Sequence, residues 1–333
     1  MFNLHVAIVV SGTLPVLKYG GTQRVMWSLG KSLTEMGCRV TFFCDSIIGG
    51  CSFANIFLLD RKKTFLEQLP SDVDVVHFND KVLFEKERPI PYVLTIHGNA
   101  LSLGDIDPNS IFVSKNHASR YGSKSYVYNG LDWSLLPSVK LDLPRSGYHF
   151  LGKSAWRVKN VKGAINVVNK LPNKRLTVLG GSRINFKMGF RITFSRQVYF
   201  LGMVNDEKKF SVMESSQGLI FPVTWHEPFG LAMIESLYAG CPVFATSFGS
   251  IPEIIIDSGL GFLSNSESEM VDHLSQNHKY NPYYCHRYVV KRFSAQLMAE
   301  NYMEKYEKVL RGEVLNSSFT LPYREGNDCR WVR

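Results

Sequence analysis

VAIVVSGTLPVLKYGGTQRVMWSLGKSLTEMGCRVTFFC, residues 6–44, changes its hydrophobic period twice. Residues 6–10 form an unbroken apolar run with four β-branched members, as expected of a strand buried on both faces. A glycine-containing turn follows. Val25, Met26, Leu29, Leu33 and Met36 then recur at helical spacing, and Gly37 is placed to stop the helix. CRVTFFC returns to a buried strand. Strand, helix and strand within 39 residues predict a βαβ unit and a parallel sheet.

The same alternation extends outward. DVVHF (74–78), YVLTIHG (92–98), SIFVSK (110–115) and KSYVYNG (124–130) are predicted as further strands. DWSLLPSVKLDLPRSG (132–147) has two prolines and no period, which marks a linker. The pattern then restarts. YHFLG, RLTVLGG, QVYFLG, GLIFPV and PVFAT are expected strands, KGAINVVNKL and about 230–239 expected helices, and 291–311 a long amphipathic segment. The reading divides the chain into 1–145, 146–290, and a closing segment 291–333. Two α/β halves imply a cleft, and open parallel sheets bind ligands beyond the carboxyl ends of their strands.

Composition narrows the classes. The chain has 333 residues, 45% of them hydrophobic, enough for two domains with real cores. The N-terminal apolar run is too short, and lacks the basic flank, for a signal peptide. Six cysteines show no C-x-x-C pair and no zinc spacing, so a reducing, cytoplasmic setting is expected. The net charge of +9 is uneven. Residues 1–145 hold 15 Lys+Arg against 13 Asp+Glu, and the remainder 23 against 16, or +2 and +7. A basic second half suits an anionic ligand, an acidic membrane surface or nucleic acid, and charge alone does not choose among them.

HEPFGLAMIE (226–235) carries the sharpest chemistry. Glu227 precedes Pro228, a residue suited to a helix's first turn, and Gly230 lets backbone pass close to a ligand. The amides of Phe229, Gly230 and Leu231 at such a helix start would favour an anion such as a phosphate. Glu235, about two turns on, could accept two hydrogen bonds from a vicinal diol such as a ribose. The plainer alternative is a surface Glu227 and a Glu235 paired with a lysine.

Residues 200–263, FLGMVNDEKKF through DSGLGFL, resemble the donor-binding half of family 4 glycosyltransferases, which are retaining enzymes of the GT-B fold. SGTLPVLKYGGTQRV, DVDVVHF, VLTIHG, FVSKNHASRYG and YNGLD occupy further landmarks of that family. The resemblance implies an α/β protein with two Rossmann-like domains facing each other across a cleft, acceptor in the first and nucleotide sugar in the second. The 291–311 segment would cross back to the first domain. It implies that Glu235 holds the donor ribose, Glu227 contacts the sugar near its reacting carbon, and Phe229, Gly230 and Leu231 meet sugar and diphosphate.

Cations are expected because negative charge grows on the leaving diphosphate. LGKSAWRVKNVKGA offers Lys153 where the family has arginine, Lys159 at its lysine position, and Arg157 nearby. Lysine lacks the bidentate fork of arginine, so Lys159 is the firmer candidate. Gly20 and Gly21 could approach the diphosphate or the sugar, and His97, at a strand end, would lie close to the sugar. Backbone near Gly181, Met203 and Val204 is expected to read the base.

DVD (72–74) and DID (105–107) imitate the metal-binding D-x-D of another glycosyltransferase fold, but read more simply as strand and turn punctuation; no metal and no cofactor beyond the sugar nucleotide are expected. SRINFKMGFRITFSR (182–196) interleaves basic and apolar residues. A helix with one buried face is expected there, with a membrane surface or acidic acceptor as the alternative. The reading is thus a cytoplasmic retaining hexosyltransferase of bacterial surface polysaccharide or lipopolysaccharide synthesis. Its partners would be a nucleotide-sugar donor and a glycan or glycolipid acceptor, with the inner membrane face as a peripheral contact and no nucleic acid. The rivals are a sugar-nucleotide hydrolase or epimerase on the same fold, an inactive sugar-binding subunit, and a basic nucleic-acid-binding protein.

Overall fold

The computed structural model describes residues 3–16, 20–84, 90–186, 188, 190–321 and 329–332. Leu17–Tyr19 of the expected glycine loop and Lys187 and Gly189 of the 182–196 stretch lie outside them. In chain order the elements are β1 (His5–Leu14), α1 (Gly21–Glu35), β2 (Arg39–Ile47), β3 (Asn55–Leu58), β4 (Val75–Phe78), β5 (Tyr92–Ile96), β6 (Ser110–Phe112) and α2 (Lys115–Ser119). There follow β7 (Tyr148–Leu151), α3 (Val161–Asn169), β8 (Leu176–Leu179), β9 (Ile184–Asn185), β10 (Arg191–Ile192), β11 (Val198–Gly202), α4 (Asp206–Glu214), β12 (Leu219–Phe221) and α5 (Leu231–Tyr238). The rest are β13 (Val243–Ala245), α6 (Ile251–Ile254), β14 (Gly261–Leu263), α7 (Glu267–Ser275), α8 (Pro282–Arg292) and α9 (Ala295–Leu310).

The chain divides into two compact units. One comprises Met1–Trp133 with Phe293–Tyr323, and the other Ser134–Arg292 with Arg324–Arg333. The first holds a parallel sheet ordered β3-β2-β1-β4-β5-β6, the second a parallel sheet ordered β11-β8-β7-β12-β13-β14. Counted within each unit, both follow 3-2-1-4-5-6, the doubly wound order that reverses direction at its first strand.

Local chemistry explains these elements. Val6–Val10 are buried throughout, so the unbroken apolar run sits with both faces covered. α1 buries Val25, Met26, Leu29 and Leu33, and Gly37 follows its end with φ +95°. Gly30 is also demanded by packing, because a Cβ there would lie 2.3 Å from the Phe42 ring.

α9 is fastened to the first sheet by a buried polar chain. His77 shares hydrogen bonds with the Tyr306 hydroxyl and Thr95 Oγ1, each at 2.7 Å, and Thr95 with the Tyr302 hydroxyl at 2.9 Å. In the second unit His149 bridges Ser216 and Ser236 at 2.8 Å on each ring nitrogen.

Several expectations are corrected. KSYVYNG forms only an isolated bridge, Tyr126 with Phe112. Beyond it Gly130 presses so closely on the Ser294 backbone that a Cβ would lie 2.2 Å from the carbonyl oxygen. Leu131 exchanges backbone hydrogen bonds with Phe293 and Ala295, so this segment pairs with the turn before α9 instead of extending a ladder. That contact also breaks the 291–311 segment, whose helix restarts at Ser294, capping the Leu297 amide.

Within the 182–196 stretch the described residues give antiparallel β9 and β10, Ile184–Asn185 paired with Arg191–Ile192, where a helix was expected. Among its described residues the apolar side chains face outward. The short strands β3 and β14 were not anticipated. No described helix is long and apolar enough to cross a membrane.

The aspartates of the two D-x-D look-alikes have structural partners. Asp72 pairs with His5 and Arg39, and Asp74 accepts the His5 amide at 2.7 Å. Asp105 closes a capping box with Ser102, and Asp107 accepts the Tyr92 hydroxyl at 2.8 Å.

Burial pushes His77, His117 and His149 down to about 3, from an ordinary value of 6.5. The unfolded chain therefore binds more protons below pH 6.5 than the folded one. The stability these groups contribute is complete above that value and is lost as pH falls toward 3. Each imidazole should withdraw roughly 2 kcal/mol between pH 6.5 and 5. Urea midpoints should drop over this interval; a flat profile would show that these rings protonate without unfolding.

Candidate functional site

Four loops leave the carboxyl edge of the second sheet, and the sequence candidates of this unit before α5 lie on them. Lys153, Arg157 and Lys159 follow β7, Gly181 follows β8, Met203 and Val204 follow β11, and Glu227 to Gly230 follow β12. β7 and β12 are neighbours where the strand order reverses, the place at which doubly wound sheets open a binding crevice.

The structure joins these two loops directly. Lys159 Nζ donates to Glu227 Oε2 at 2.7 Å, and Trp225 Nε1 donates to the same oxygen at 2.7 Å. The ammonium also stands 4.8 Å from the Trp225 ring centroid and 5.2 Å from that of Phe221. Glu227 is buried, unlike the surface residue of the plainer reading. Asn160 supports the junction. Its left-handed backbone (φ +51°) and side chain cap α3, while its Nδ2 donates to the Pro222 carbonyl at 2.8 Å.

The turn carrying Glu227 is braced from behind. Ser250 donates its amide to the Glu227 carbonyl at 2.9 Å and its hydroxyl to the Phe229 carbonyl at 2.7 Å. Gly249 must remain glycine, because a Cβ would stand 2.3 Å from the Glu227 carbonyl oxygen and φ is +71°. α5 then begins at Leu231, with Gly230 at the cap (φ +93°) and no side-chain cap. An uncapped helix start leaves its first amides for an anionic ligand.

Glu235 sits one turn into α5, buried, with Oε1 2.7 Å from Lys209 Nζ. Lys209 is itself buried and also meets Asp206 at 2.9 Å. Glu235, the expected ribose-holding residue, therefore does pair with a lysine, as the plainer alternative had it. Lys153 is exposed, 5.5 Å from the Trp156 ring, and Arg157 is exposed one helical step before Lys159. Gly181 packs so tightly on Ser154 that a Cβ would lie 1.7 Å from its hydroxyl. Met203 is exposed and Val204 half-buried.

The remaining candidates belong to the first unit, again beyond strand carboxyl ends. Gly20 caps α1 without a side-chain hydrogen bond and Gly21 opens the helix. His97 follows β5 and shares a 2.9 Å hydrogen bond through Nε2 with Asn79 Oδ1. Asn79 Nδ2 donates to the Val9 carbonyl, so Oδ1 is the acceptor and His97 carries its proton on Nε2. Burial lowers His97 to about 4, which keeps the ring neutral at physiological pH with Nδ1 as its acceptor nitrogen.

Trp225, Lys209, Asn160 and Asn79 went unrecognised in the sequence. Only Trp225, two residues before Glu227, lay close enough to its partner to be suspected. The others reach these partners across 18 to 62 residues, which no local pattern reports.

Removing Lys209 would strand a buried carboxylate. Lys209→Met should cost about 3 kcal/mol in a urea titration, and stability equal to the parent protein would contradict the pairing.

Residues 150–278 match the family model of glycosyl transferases group 1. A phosphatidyl-myo-inositol mannosyltransferase of Mycobacterium tuberculosis is 28% identical over 145 residues, 41% of this chain and 38% of that protein. The O-antigen chain mannosyltransferase B of Escherichia coli is 26% identical over 128 residues, 36% of this chain and 33% of that one. The matched stretch thus spans about a third of the length of these relatives. Among solved structures, AviGT4, a glycosyltransferase involved in avilamycin A biosynthesis, aligns with a TM-score of 0.77 at 17% identity, over 94% of this chain and all of that one. Residues 150–278 are thus similar to group 1 glycosyltransferases, and the chain has the two parallel-sheet α/β units of the GT-B fold.

Proposed function

We propose that the chain transfers a sugar from a nucleotide diphosphate sugar to an acceptor hydroxyl, with retention at the anomeric carbon. The observation that supports this most is the uncapped start of α5, set between the Lys159–Glu227 pair and the buried Glu235. A diphosphate suits the amides of Leu231 and Ala232, and a ribose diol suits the carboxylate of Glu235. Lys159 has three N–H donors and gives one to Glu227, so the same ammonium can also face the diphosphate. Lys153 and Arg157 add exposed positive charge on the same loop.

In this reading the acceptor oxygen bonds to the anomeric carbon as the carbon–phosphate oxygen bond breaks on the same face of the sugar. The acceptor proton passes to the departing phosphate oxygen, and the charge left on the diphosphate is met by the helix amides and lysines. Glu227, held by two donors, positions the sugar, and no covalent nucleophile is invoked. Neutral His97 would bind a sugar hydroxyl. The names of the mannosyltransferase relatives support a glycolipid or surface-polysaccharide acceptor for the hexosyl group.

Thermal shift with UDP-, GDP- and ADP-sugars should single out one donor, since a ligand of the folded state raises the transition. Glu235→Ala and Lys159→Ala should each weaken that donor at least about tenfold, the equivalent of 1.4 kcal/mol. Unchanged affinity in both would remove the site assignment. Product analysis with acceptor must also show a new glycosidic bond; free sugar alone would instead indicate hydrolysis.

A further inference from the structure

The crossover from β8 to β11 is made by the β9–β10 hairpin, and its apolar residues follow a strict period of two. Ile184, Phe186, Met188, Phe190, Ile192 and Phe194 are 49, 78, 56, 68, 39 and 85% exposed. Ile184 and Ile192 face each other across the ladder, and the Phe186 and Phe190 rings lie 5.6 Å apart, so these four share one face. The hairpin is braced from its polar side. Arg183 donates to the Thr193 and Ser195 carbonyls at 3.0 and 2.9 Å, and Arg191 to the Ser182 carbonyl at 2.9 Å. An exposed apolar row on a braced element marks an interaction surface.

Charge identifies the partner. Between Leu143 and Asn205 the sequence holds twelve Lys+Arg and no Asp or Glu. Phe190, Ile192 and Phe194 line a groove of 790 Å³ together with the exposed Arg157 and Lys162 of the loop and helix after β7. A second copy of this face would set like charges against each other. An anionic bilayer asks for what is present: apolar side chains to enter the acyl boundary and cations beside them at headgroup level. We propose that the β9–β10 hairpin docks the protein on an anionic membrane surface, its apolar row entering the bilayer interface.

Sedimentation of the full chain with phosphatidylglycerol–phosphatidylcholine vesicles tests this. Binding is expected there, weakening with salt and with phosphatidylcholine alone. The variant Phe186→Ser/Phe190→Ser/Phe194→Ser should lose at least about tenfold in partitioning while keeping its thermal transition and donor affinity. Should it fail to fold, Phe186→Ser alone carries the same readout. Lys162→Glu/Arg196→Glu should also weaken binding. A parent chain that leaves both vesicle types unbound, or a phenylalanine variant that sediments like the parent, overturns the proposal. So does a dimer in light scattering that the variant abolishes without any vesicle binding, which would assign the row to a second copy. Because donor affinity is read separately, failure here leaves the sugar-transfer reading standing, and the reverse also holds.

Discussion

A buried carboxylate needs donors to replace the water it has lost, and the second unit's crevice is organised around one such group. Glu227 Oε2 receives Lys159 from the loop after β7 and Trp225 from its own turn. Its carbonyl receives Ser250, and its backbone leaves no room for any residue but glycine at 249. Two segments distant in sequence, and its own turn, converge on one residue. Their convergence fixes the direction in which Gly230 delivers the chain into α5, hence where the free amides of that helix point. Moving Glu227 would move the helix start with it.

Glu235 and Lys209 show a second constraint of the same kind. The pair is buried and also meets Asp206, so α4 and α5 are tied by charges that cannot be separated within the interior without penalty. A site built on two braced carboxylates is preorganised, which would serve the proposed transfer, whose main demand is stabilising a departing diphosphate. In the first unit, Asn79 sets the tautomer of His97 in the same spirit, fixing which ring nitrogen can accept.

Much of this was legible in the sequence, for physical reasons that particular residues make plain. Strands buried on both faces announce themselves as runs such as Val6–Val10, and helices through Leu29 and Leu33 at helical spacing. Glu227, Pro228 and Gly230 were legible as a helix start because turn chemistry is local. Pairing is not local: Lys209 with Glu235, or Leu131 with Phe293, depends on which elements the fold brings together. The hairpin at 184–194 was misread although its period of two favours strands, because six apolar residues suggested a buried face. Periodicity reports geometry, and it does not report whether the face is covered.

The central claim is that the start of α5 and the loop after β7 receive a nucleotide diphosphate sugar. Amide hydrogen exchange with and without the donor tests it most directly. The account predicts slowed exchange at Phe229–Met233 and around Lys153–Asn160 when donor is added. Donor binding that leaves both segments unchanged, with protection confined to Met1–Trp133, would contradict it.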